Sequence, residues 1–150
     1  MITSEIKIPA EFADVCPFND SEFATQMAQL VKEPMFKSVV EYAMPHLDFK
    51  TFEQQLLSLR TKDEFQRMVM KSFLETLVKN TTDGLSMGGV ENCQKDKSYT
   101  FISNHRDIVL DASFLNLNLL YNDRQTTEVA IGNNLLVYEW ISILVRLNKS

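Results

Sequence analysis

The stretch Y-T-F-I-S-N-H-R-D-I-V-L-D-A-S-F-L, residues 99–115, restricts the possible fold more than any other part of this chain. Its first half alternates Tyr99, Phe101 and Ser103 with Thr100 and Ile102, the pattern of a short buried strand. Its second half, continued to residue 119, spaces Ile108, Val109, Ala112, Leu115 and Leu119 as one face of a helix. A strand that passes directly into a helix predicts an α/β fold (α+β at this length), with Asn104, His105, Arg106 and Asp107 at the bend. Side chains and free helix N–H groups converge at such bends, which makes them the usual place for chemistry. Asp107 and Asp111 are four residues apart, so the pattern sets both on one face of the first helical turns, near the positive end of the dipole. Either acid is suited to orient an imidazole. The chain has two histidines, and His46, next to Pro45, has no obvious acidic or nucleophilic partner in sequence. His105 is therefore the candidate for histidine chemistry.

The tetrapeptide resembles the first motif of the glycerol-3-phosphate and lysophospholipid acyltransferase family. That motif is a His, four residues and an Asp, often with Asn before the His and Arg after it in the glycerophosphate branch. Asn104, His105 and Arg106 match as they stand, whereas five residues, R-D-I-V-L, separate His105 from Asp111. A one-residue insertion in the turn brings Asp111 to the family's acid position; Asp107 is the alternative. A second segment, T-E-V-A-I-G-N-N-L-L-V-Y-E-W-I-S-I-L-V-R-L-N-K at 127–149, is similar to the family's next region, a strand, a Gly and Asn turn, an apolar helix with Trp and an Arg-containing tail.

The resemblance implies transfer of a fatty acyl group from a thioester, acyl-CoA or acyl-carrier protein, to a hydroxyl of glycerol 3-phosphate or a lysophospholipid. His105 would be the general base, Asp111 would fix its tautomer, and Arg106 and Asn104 would bind substrate. The implied co-substrate is the thioester; no metal and no further cofactor are expected. Ser103 is a minor alternative nucleophile, without the glycine pattern of a nucleophile elbow. The family's later motifs, a Gly and Arg segment, a Glu-Gly segment and a Pro-containing segment, do not occur, so the chain reads as the N-terminal portion of a larger acyltransferase or a shortened homologue. The competing function is a catalytically inactive module that binds a membrane or protein partner through its apolar helix, Leu135 to Leu147.

A net charge of −5 gives a nucleic-acid partner no electrostatic support. Cys16 and Cys93 stand alone, without metal or disulfide spacing, which favours reduced thiols and a cytoplasmic site. The N-terminus lacks the basic start and apolar core of a signal peptide. The longest apolar run, Leu135 to Val145, contains Glu139 and falls short of the roughly 18–20 residues of a membrane span, so any association with the inner membrane face is peripheral.

Residues 1–80 read as a helical subdomain behind an extended lead-in. Asn19 with Glu22 marks one helix start, Pro34 ends that helix or begins the next, and Asp48 opens a third with Phe49, Phe52, Leu56 and Leu59. Thr61 with Glu64 is the clearest capping box and introduces a long helix through Phe65, Met68, Val69, Phe73, Leu74 and Leu77. Met68 and Met70 are candidates for an acyl groove, with core packing the more ordinary use. Residues 81–98 hold three of the four glycines and form a hinge loop; Ser86, Gly88 and Gly89 suggest a phosphate cradle without the spacing of a nucleotide motif. Residues 99–150 are then the first part of a truncated α/β domain. Residues 128–131 supply its second strand, joined to the first by a right-handed crossover and so parallel to it.

Overall fold

Local capping chemistry marks the starts of the first helices among the described residues. The structure, a computed structural model, describes residues 9–104 and 106–150. The Asn19 N–H donates to Glu22 Oε2 at 2.9 Å, and α1 (Asp20–Leu30) follows. Pro34 begins α2 (Pro34–Ala43), where its missing N–H costs nothing. Asp48 Oδ2 accepts from both the N–H and the hydroxyl of Thr51, at 2.9 and 2.6 Å, and starts α3 (Phe49–Ser58). Those bonds to the ionised form, the Thr51 hydroxyl first and its N–H second, hold the Asp48 carboxyl below the usual carboxylate range. Immediately after Thr61 come α4 (Lys62–Phe65), a π-helical segment (Gln66–Met70) and α5 (Lys71–Thr81) as one continuous helix. Beyond them lie α6 (Leu110–Tyr121) and α7 (Glu139–Leu147).

The α/β expectation is overturned, because the described residues are helices, turns and loops with no strand and no sheet. Tyr99 to Asn104 belongs to no helix or strand, and Ile102 is 93% exposed. Aromatic and β-branched residues favour a strand by fitting a half-buried pleated surface; without a neighbouring strand that preference has nothing to act on. The aromatic alternation has a local use instead. The Tyr99 hydroxyl accepts from the Gln94 N–H at 2.7 Å, and the Tyr99 ring lies 6.4 Å from that of Phe101. Residues 128–131 likewise form no ladder, so the parallel pair and its crossover do not exist in the described chain.

Two compact units result. The first contains residues 9–62 and Ala130–Ser150. Within it α1 packs on α3 and α7, and α2 packs on α3. Phe23, Met27 and Leu30 from α1, Leu56 from α3 and Leu147 from α7 are completely buried. Burying each such side chain stabilises the fold by roughly 1.5–3 kcal/mol. Arg146 fastens the lead-in to this core: its Nε donates to the Cys16 carbonyl at 2.7 Å and its Nη2 to the Ala13 carbonyl at 2.8 Å. Its guanidinium also stacks 3.9 Å from the centre of the Phe18 ring.

The second unit is Asp63–Val129, in which α5 packs on α6. The π-helical segment displaces the buried stripe by one residue. Phe65 and Val69 are four apart, but the next buried apolar side chain is Leu74, five residues on, and Phe73 is only half-buried. The Lys71 N–H bonding to the Gln66 carbonyl, an i to i+5 contact, produces that shift. Met68 projects to solvent, 53% exposed.

Candidate functional site

Of the sequence-selected site residues, Asn104, Arg106 and Asp107 belong to the loop before α6 and Asp111 to its first turn. His105 lies outside the described residues. The helix begins at Leu110, so Asp107 stands ahead of it and Asp111 within its first turn, rather than both riding one helical face. Asp107 Oδ1 accepts from the N–H groups of Val109 at 2.8 Å and Leu110 at 2.7 Å, a side-chain cap over the opening turn. Asp111 points the other way: its Oδ2 accepts from the N–H groups of Arg106 at 2.8 Å and Asp107 at 3.1 Å. Four backbone donors are thus satisfied by two carboxylates in a crossed arrangement, each carboxylate at the positive end of the helix dipole. It resembles a capping box lengthened by one residue.

The chain turns tightly enough that an acid six positions beyond residue 105 reaches the N–H of residue 106. Arg106 and Asn104 are exposed. Arg106 makes no ion pair with Asp107 or with any other carboxylate among the described residues. Ile102, Ile108 and Val109 are exposed alongside, so apolar side chains flank the turn in both directions along the chain.

The far end of α6 is held by a buried polar network that sequence patterning did not find. Asn116, Leu117, Asn118, Leu119 and Leu120 are all buried, so the helix is enclosed on every side there. Asn116 Oδ1 accepts from the Thr127 N–H at 2.8 Å and from its hydroxyl at 2.9 Å, and the Thr126 hydroxyl donates to Gln66 Oε1. The Arg124 N–H bonds the Leu119 carbonyl at 2.9 Å. The one available signal was polar residues within an otherwise apolar run, L-N-L-N-L-L. Asp107 as a helix cap was also readable, since an Asp just before an apolar helical pattern is a common N-cap.

The Ser86, Gly88 and Gly89 segment leads into a single 3-10 turn (Val90–Asn92), with Gly89 at φ +82° where a side chain would be strained. The apolar helix singled out for partner binding has Ile143 and Leu147 buried in its own unit, where it packs on α1. No helix among the described residues is long and apolar enough to cross a membrane. No protein-family model matches the chain, and neither the curated proteins nor the solved structures contain a match.

Proposed function

We propose that this chain carries the histidine motif of a glycerolipid acyltransferase. In this reading His105 takes the proton from a hydroxyl of glycerol 3-phosphate or a lysophospholipid. The oxygen then attacks the thioester carbonyl of acyl-CoA or acyl-carrier protein, the carbon–sulfur bond breaks, and the thiol leaves with a proton returned by the imidazolium. Asp111 holds the imidazole in its working tautomer, and Arg106, exposed beside the positive end of α6, takes the phosphate. The lipid acceptor suits a cytoplasmic protein acting at the inner membrane face.

The observation that carries this reading is Asp111 Oδ2 at 2.8 Å from the Arg106 N–H, which brings the acid back to the residue adjoining His105 despite the longer spacing. The same contact favours Asp111 over Asp107, whose Oδ1 is engaged by Val109 and Leu110. The test of this reading is acyl transfer from a thioester donor in the protein carrying this chain, comparing wild type, His105→Ala and Asp111→Asn. Transfer is expected to vanish in the first and fall in the second. Unchanged transfer in His105→Ala removes the histidine from the mechanism.

A further inference from the structure

We infer that residues 94–104 form a lipid-docking loop, which lays Phe101 and Ile102 into the surface of an anionic bilayer and sets Lys95 and Lys97 on its headgroups. Ile102 is 93% exposed, and Tyr99 and Phe101 are 40% and 38% exposed, in a stretch that belongs to no helix or strand. One exposed apolar side chain is ordinary, but three large ones within four residues form a patch of the kind that a partner covers. The loop is shaped by bonds of its own. The Tyr99 hydroxyl accepts from the Gln94 N–H at 2.7 Å, next to the 3-10 turn (Val90–Asn92), and its ring lies 6.4 Å from that of Phe101.

Charge selects the occupant. Lys95 and Lys97 are exposed and form no ion pair among the described residues, and the same holds for Arg106, the next described charge along the chain. Against these three cations residues 94–106 hold one acid, Asp96, a local positive excess in a chain of net charge −5. Asp107 and Asp111, which follow, turn their carboxylates to backbone N–H groups. Apolar and aromatic side chains flanked by unpaired lysines suit a bilayer boundary, where the rings enter the acyl region and the ammonium groups stay with the phosphates. A second exposed apolar stripe, Met35, Val39 and Tyr42 on α2, has no such cations, because Lys37 there pairs with Glu41 at 3.8 Å. A bilayer is chosen over a protein because the product of the proposed reaction is a lipid, and to that extent the inference rests on the acyltransferase reading.

The test is sedimentation of the protein carrying this chain with vesicles of equal parts phosphatidylglycerol and phosphatidylcholine, and with vesicles of phosphatidylcholine alone. Wild type is expected to bind the mixed vesicles, more weakly as salt rises, and the phosphatidylcholine vesicles far less. Ile102→Asp should weaken binding about tenfold or more, and Lys95→Gln and Lys97→Gln about fivefold each. Tyr42→Asp, equally open to water on α2, should bind as wild type does. No binding by wild type, equal binding to both vesicles, or unchanged binding by Ile102→Asp overturns the inference. A loss in Tyr42→Asp as large as in Ile102→Asp overturns it too. Self-association that Ile102→Asp abolishes, read by analytical ultracentrifugation, assigns the patch to a second copy and also overturns it. Ile102→Asp should keep the wild-type urea midpoint, as an exposed position does; should it fail to fold, the lysine variants decide by the same fivefold criterion. Vesicle binding is read without turnover, so acyl transfer without vesicle binding refutes this inference alone, and vesicle binding without acyl transfer refutes the acyltransferase reading alone.

Discussion

Replacing Arg146 with Ala removes a clasp that joins two ends of one unit across 130 residues of sequence. Hydrogen bonds from a charged donor contribute roughly 1.5–3 kcal/mol each. The bond to the Cys16 carbonyl is partly buried and merits that range, whereas the one to the Ala13 carbonyl faces solvent and merits less. The stack on Phe18 adds about 0.5–1 kcal/mol. Together these predict a loss of about 2–4 kcal/mol for Arg146→Ala. Arg146→Lys keeps the charge but loses the two-pronged donor geometry, and is expected to fall about midway. Trp140, the single tryptophan, sits in α7 of the same unit, so its fluorescence in a urea titration reports the relevant transition. The midpoint should drop with the slope preserved. A shift worth less than about 0.5 kcal/mol, the size of an ordinary surface substitution, would refute the reasoning.

Three further outcomes are expected. Asp48 is held below its ordinary value in the folded chain, so its share of stability is complete above the unfolded carboxyl pKa of roughly 4 and fades as pH falls through the lower folded value. Acid titration of the fold should show that loss in wild type and not in Asp48→Asn; identical acid curves would contradict it. Asn116→Ala strips two bonds from Thr127 in a buried site and should cost about 1–3 kcal/mol in chemical denaturation. Leu117→Ala, at a completely buried position one residue on, should cost about 2–5 kcal/mol. If both behave as neutral surface changes, α6 is not enclosed as described.

Features set by neighbouring residues were legible in sequence. Asn19 with Glu22, Pro34 and Asp48 each stand at a helix start, and of the predicted stripe Phe52, Leu56 and Leu59 are buried while Phe49 is only half-buried. What failed depends on partners distant in the chain or on a changed helical period. The run from Tyr99 to Ser103 has the alternation of a strand, but a strand requires a neighbour, and Tyr99 bonds back to the turn at Asn92–Gln94 instead. Phe73 fits a period of 3.6, yet the π-helical segment passes its expected place to Leu74. At the candidate site, the nearness of Arg106, Asp107 and Asp111 followed from their proximity in sequence alone. The opposed directions of Asp107 and Asp111 did not, because they depend on α6 starting at Leu110.

The pH dependence of acyl transfer tests the role of His105 most directly. A general base must be unprotonated to act, so under the proposed role kcat/KM should climb as pH rises along an acidic limb and level off above it. His105→Ala should leave a low rate without that limb. A wild-type profile that is flat through this region, or an Ala variant that keeps the climb, contradicts the assignment.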